Sequence, residues 1–216
     1  MISHEHKCIF IHIPKTGGTS IELLFDPKAN KRDVKWKHYT SSEFKRDTPR
    51  KFKTYYKFSI VRNPWALCYS MYNYMWNSNK FWPRKERERK KKNGNSHVLG
   101  WSFKQWILSD EFQGITPDTR SVFQPFGGRK ILPHKDQFDW IYKGAETIVL
   151  DKLCRTETLD KDFQDVCGAL GIKAQEVPHA NKSLAPSYTE VYNEEMINVV
   201  FKKFKRDIVF FGYSFE

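Results

Sequence analysis

Apolar positions along this chain fall into short runs, each broken off by a turn residue or a charge. The first run, 8–13, is continuous and lacks helical spacing, which predicts a buried strand. It stops at Pro14. Lys15-Thr16-Gly17-Gly18-Thr19-Ser20 then leads into Ile21-Glu22-Leu23-Leu24, the opening of a helix over 19–25. Residues 26–57 are rich in Lys, Arg and Asp and read as irregular, with a short helix near 41–46. A second apolar run, 57–61, predicts a strand ending at Arg62, and Pro64 suits the first turn of a helix over 64–78. The aromatics of that helix, Trp65, Tyr69, Tyr72, Tyr74 and Trp76, are only partly periodic and read as core or cleft wall.

Further on, 79–98 reads as a mobile basic loop, 99–108 as a helix, Gly127-Gly128 as a turn and 146–150 as a third strand. Helical spacing over 158–170 stops at Gly171, a helix-ending glycine. A loop over 178–188, a helix near 193–206 and the apolar close Ile208-Val209-Phe210-Phe211-Gly212-Tyr213 complete the chain. Strands alternating with helices predict an α/β fold: one domain over 1–216, a P-loop-like parallel sheet flanked by helices. Ligands are then expected at the carboxyl ends of the strands.

Chemistry concentrates at two such strand ends. After the first, a glycine turn opening a helix aims backbone N–H groups at one spot, with the helix dipole behind them. Lys15 adds a full charge, and Thr16, Thr19 and Ser20 add hydroxyl donors, a set suited to phosphate or sulfate. The nucleoside-triphosphate loop G-x-x-x-x-G-K-[ST] puts its Lys after the last Gly, whereas Lys15 precedes Gly17 and Gly18. A plain strand-to-helix turn would also use these glycines. At the second strand end, Val61-Arg62-Asn63-Pro64-Trp65 is followed by Ser70 in the helix. Arg62 offers the planar donor fork that matches phosphate. Alone, Arg62 reads as a surface charge and Ser70 as a solvated helix residue; in this order after the first loop, they read as a second anion site.

The two segments together resemble those of sulfotransferases that use 3′-phosphoadenosine 5′-phosphosulfate (PAPS). Lys15-Thr16-Gly17-Gly18-Thr19-Ser20 is similar to their 5′-phosphosulfate loop, and Arg62 with Ser70 to their 3′-phosphate segment. The resemblance covers most of the chain, most weakly 79–130, and is closest to the carbohydrate-type group that includes heparan 2-O- and chondroitin 4-O-sulfotransferases. It implies PAPS as donor, 3′,5′-adenosine bisphosphate as product and an acceptor hydroxyl on a carbohydrate or small metabolite. Lys15 would meet the bridging oxygen. Trp36-Lys37-His38-Tyr39-Thr40 resembles the segment carrying that group's catalytic base, which implies the role for His38; from spacing alone His38 reads as a packing or surface residue, with Glu43 as a fallback base. Gln137-Phe138-Asp139-Trp140, Arg155-Thr156-Glu157-Thr158-Leu159 and Pro178-His179-Ala180-Asn181-Lys182-Ser183 resemble later segments. Lys182 and Ser183 would cover the nucleotide as a late basic loop does in relatives; a solvated turn fits them equally. Trp65 fits adenine contact and packing alike.

Composition adjusts this picture. With 37 Lys and Arg against 25 Asp and Glu, the formal charge of +12 suits an anionic donor, and an anionic glycan acceptor as well. The basic run 84–92 reads first as an exposed helix end and second as an acceptor-binding patch, and no nucleic-acid module accompanies it. Cys8, Cys68, Cys154 and Cys167 are scattered, the His residues form no ligand motif, and His4 and His6 sit in a terminus read as mobile, so no metal is expected. No apolar run nears the ~18 residues of a membrane span, and no basic-then-apolar leader opens the chain, which predicts a cytoplasmic protein of microbial or viral type. Two rivals stand beside this reading. A variant kinase would need Mg²⁺ and an acidic ligand at a strand end, for which Asp151 is the candidate; a non-catalytic glycan-binding protein would keep the fold without the donor.

Overall fold

The computed structural model describes residues 1–27, 36, 38–74, 102–109, 136–143, 147–177 and 186–216. The readings of 79–98, Gly127-Gly128, Lys182 and Ser183 lie outside the described residues. Two compact units emerge: Met1–Arg62 with Asp136–Ser183, and Asn63–Lys135 with Leu184–Glu216.

The first unit holds the sheet. Its strands are β1 (Ile2–Ser3), β2 (Cys8–Ile11), β3 (Tyr56–Val61) and, later in the chain, β6 (Lys152–Arg155), in spatial order β1-β2-β3-β6. β2, β3 and β6 run parallel, with Phe10 opposite Phe58 and Ile60 opposite Cys154. β1 is antiparallel to β2, so the sheet is mixed rather than wholly parallel. That edge strand corrects the reading of a mobile terminus: Phe10 N–H donates to the Met1 carbonyl at 3.0 Å. β2 and most of β3 are fully buried, as apolar runs without alternation require when both faces of a sheet are covered.

Helix α1 (Gly18–Phe25) packs on one face with α7 (Leu159–Leu170), around Phe10, Ile21, Phe58, Phe163 and Val166. Gly171 ends α7 at φ +66°, the left-handed position that the helix-ending glycine predicts. Helix α2 (Ser41–Asp47) is the short helix expected near 41–46, and α3 (Pro49–Thr54) is a second one in a stretch otherwise read as irregular. The side chains of Thr40 and Glu43 cap α2 reciprocally, and Pro49 opens α3. α6 (Phe138–Ile141) runs into a two-stranded antiparallel ribbon, β4 (Tyr142–Lys143) with β5 (Thr147–Ile148).

Of the expected third strand, 146–150, Thr147–Ile148 forms β5 of this ribbon, and β6 takes its place in the main sheet. Apolar residues were the wrong guide there, because among the described residues β6 is an edge strand, and within it only Cys154 is fully buried. Lys152 remains at the surface with its ammonium 2.6 Å from Asp165.

The second unit is helical among its described residues. α4 (Pro64–Tyr72) starts as expected at Pro64, capped by Asn63, whose Oδ1 accepts the Trp65 N–H at 3.1 Å. α5 (Phe103–Ile107), α8 (Glu194–Lys203) and α9 (Lys205–Phe211) complete it. The single helix expected near 193–206 is interrupted at Phe204, which caps α8 and begins α9. Trp65, Met71, Phe103, Trp106, Val200 and Phe204 lie in one core. Trp65 is 3% exposed and its indole N–H donates to the Ile197 carbonyl at 3.1 Å, so the packing alternative accounts for it. All four cysteines are buried and free; burial raises the Cys8 and Cys154 thiols to about 12. Among the described residues no helix is long and apolar enough to cross a membrane.

Candidate functional site

The ladder of β2 ends at Ile11, and the chain then turns sharply into α1. Lys15 (φ +67°) and Gly17 (φ +86°) both take the left-handed region. For Gly17 this is an ordinary conformation; for Lys15 it costs about 1–3 kcal/mol, a strain of the kind found at binding sites. Gly18 is required for a different reason. A Cβ there would lie 2.4 Å from His12 Cδ2 and 2.8 Å from Phe10 Cζ, both on buried rings. The turn thus opens a helix N-terminus with left-handed residues just before it, the arrangement that converges backbone N–H groups on an anion.

The side chains of the loop divide. Thr16 is fully buried and its hydroxyl donates to the Ile13 carbonyl at 2.9 Å. That bond closes the loop. Ser20 is 8% exposed and Thr19 is half-buried. Lys15 is half-buried, and its pKa falls from 10.5 to about 8, chiefly by burial and next by the charge of Arg62.

Arg62, the residue after β3, reaches this loop. Its Nη1 donates to the Lys15 carbonyl at 3.1 Å, so the two cationic segments meet at adjacent strand ends. Burial disfavours the charged ammonium most, and the like charge of Arg62 adds to that effect. The third parallel strand contributes Thr156, whose Oγ1 lies 3.0 Å from the Thr16 carbonyl and 3.1 Å from that of Val61. A hydroxyl has one proton, shared here between two acceptors, and it ties the loop to the end of β3. Ser70 is half-buried on α4, in the second unit.

His38 also has left-handed backbone, at φ +57°. Its Nδ1 is 3.0 Å from the His12 carbonyl. A carbonyl only accepts, so Nδ1 carries the hydrogen and Nε2 the lone pair of the neutral ring. The ring sits 4.5 Å from that of His12, centroid to centroid, and the Trp140 indole N–H points at the His38 carbonyl at 3.4 Å. His12, in turn, is buried and bonded through Nδ1 to Glu22 Oε1 at 2.8 Å. The structure therefore brings Lys15, the 16–20 loop, His38 and Arg62 into one unit. Glu43 is occupied as a helix cap, accepting from the Thr40 N–H and hydroxyl at 2.8 Å each.

Two buried polar residues beside this cluster escaped the sequence reading. Glu22 was hidden in the apolar start of α1, although a lone carboxylate on a buried helix face was itself a signal. Gln137 belongs to a segment noted only by resemblance. Asp151, the metal-ligand candidate of the kinase reading, lies between β5 and β6, immediately before Lys152. Its Oδ2 accepts the Lys57 N–H at 2.7 Å near the start of β3, at the opposite end of the parallel strands from Arg62.

Compared with sequence models of protein families, the chain matches the sulfotransferase family over residues 1–214. No curated protein and no solved structure matches it.

Proposed function

The chain belongs to the sulfotransferase family, and from that premise we propose that it moves a sulfuryl group from PAPS to a hydroxyl on a carbohydrate or small hydroxylated metabolite, leaving 3′,5′-adenosine bisphosphate. The observation that carries this reading is the meeting of Lys15 and Arg62 at adjacent strand ends, beside a turn suited to an anion. In the proposed step the acceptor oxygen attacks sulfur as the bond from sulfur to the 5′-phosphate oxygen breaks. The electron pair stays on that bridging oxygen, where Lys15 offsets the growing charge. The acceptor's proton passes to Nε2 of His38, the nitrogen left with a lone pair by the Nδ1 bond to His12.

Backbone N–H groups of 16–19 and the Thr19 and Ser20 hydroxyls would hold the phosphosulfate, and Arg62 the 3′-phosphate. Ser70 is assigned to the same phosphate, and Lys182 and Ser183 to covering the nucleotide, on sequence pattern alone. The carbohydrate-type acceptor rests on resemblance, and an anionic one would suit the net charge of +12. Catalysis here is positioning and charge stabilisation, as in phosphoryl transfer.

The test is calorimetric titration of 3′,5′-adenosine bisphosphate, without Mg²⁺, into wild type and Arg62→Ala. Micromolar or tighter binding is expected, weakened about 10–100-fold in the variant by the loss of charge-assisted bonds. Absence of binding by folded wild type would remove PAPS as donor. Undiminished binding by the variant would take the 3′-phosphate away from Arg62.

A further inference from the structure

The backbone of Arg62 is held by a side chain where the sheet has run out. The last rungs of β3 pair Ser59 with Ile11 on one side and Val61 with Arg155 on the other. Arg62, one residue further, nevertheless has both main-chain polar groups bonded to a single partner. Its N–H donates to Oε1 of Gln137 at 2.8 Å, and its carbonyl accepts from Nε2 of Gln137 at 2.8 Å. The carboxamide of Gln137 thus stands in for one residue of a neighbouring strand. Gln137 is 1% exposed, so water competes poorly for these bonds, and it sits just ahead of α6, whose Phe138, Trp140 and Ile141 are buried.

We propose that Gln137 is the positioning residue that lets this protein distinguish a 3′-phosphorylated nucleotide from one lacking that phosphate. This rests on the reading of Arg62 as the 3′-phosphate ligand. An Arg guanidinium swings on a long flexible stem, and freedom at its own φ and ψ multiplies the space it explores. Gln137 removes that freedom at the root of the side chain, while the Lys15 carbonyl holds the tip. The chemistry is demanding. Only an amide supplies one donor and one acceptor side by side; Asn is a methylene short, Met has the length without the polar pair, and ionised Glu cannot donate. Gln137 need not touch the nucleotide, and it acts through Arg62 alone.

The experiment is calorimetry of 3′,5′-adenosine bisphosphate and of 5′-AMP on wild type, Gln137→Met, Gln137→Asn and Arg62→Ala. The quantity read is the preference, the ratio of the two dissociation constants. Wild type should prefer the bisphosphate, and Arg62→Ala should abolish most of that preference. Gln137→Met should lower it about tenfold while 5′-AMP binding changes by less than about threefold, since the Arg62 bond weakens and the 5′ site does not. Gln137→Asn, a milder change, reads the same ratio if the Met variant fails to fold. Equal weakening of both nucleotides would mean general loosening and would overturn the proposal, as would an unchanged ratio. If Arg62→Ala collapses the preference and neither Gln137 variant lowers it, this proposal alone fails. If Arg62→Ala leaves the preference intact, the assignment of Arg62 fails and takes the proposal with it.

Discussion

At Lys15, burial and a neighbouring cation both disfavour the charged ammonium. Burial and then Arg62 lower its pKa to about 8 in the free protein. The sign for binding follows directly: below pH 8 the ammonium is present and available to an anion, and above it the free protein holds a neutral amine. Affinity for 3′,5′-adenosine bisphosphate should be flat from pH 7 to 7.5 and fall above pH 8 by up to about tenfold per pH unit, because the anion then has to bring a proton with it. Lys15→Met should bind more weakly and lose this fall. A pH profile in Lys15→Met identical to that of wild type would assign the titration elsewhere. His38 calls for a different readout. Its backbone is left-handed, so Asn, which tolerates that region, is the fitting replacement. With any acceptor that screening yields, His38→Asn should lower kcat about 10²–10⁴-fold while leaving bisphosphate affinity unchanged. Retained kcat would place the base elsewhere.

Among the elements, α1 and α7 offer a controlled comparison between two glycines. Gly18→Ala would drive a methyl group against the buried rings of His12 and Phe10, which should destabilise the protein by about 1–3 kcal/mol. Gly168→Ala, inside α7, meets nothing within 4 Å and should stabilise by up to about 1 kcal/mol through helix propensity. Urea denaturation distinguishes them by sign, and destabilisation of equal size in both would show that crowding at His12 is not what requires Gly18. The same elements show what a local pattern can carry. The β2–loop–α1 unit was legible because strand, glycine turn and helix start are each written in adjacent residues. α3 was not, since Lys51, Lys53 and Arg50 surround the one buried side chain, Phe52. β6 was missed because strand preference describes fit to a pleated surface, and an edge position accepts Lys152 and Arg155 where a central one would not.

For the molecule as a whole, the readable part of the site and the hidden part differ in sequence separation. Lys15 and Arg62 announced themselves through the residues beside them. Gln137 is 75 residues from Arg62, and Thr156 is 140 from Thr16; neither pairing leaves a trace in composition or periodicity. The alternating strands and helices likewise announced an α/β sheet but not the second unit, whose core draws α4 and α5 together with α8 and α9 from the far end of the chain. The contact of Gly18 with His12 has a further consequence, one of history rather than stability. Position 18 cannot gain a side chain freely while both rings stand, since its Cβ would need space that the imidazole of His12 and the ring of Phe10 fill. A descendant of this protein that carries a larger residue at 18 without strain has to change His12 and displace or replace Phe10 as well, surrendering the Glu22 partner on the way. Geometry ties the three positions together before selection has any say.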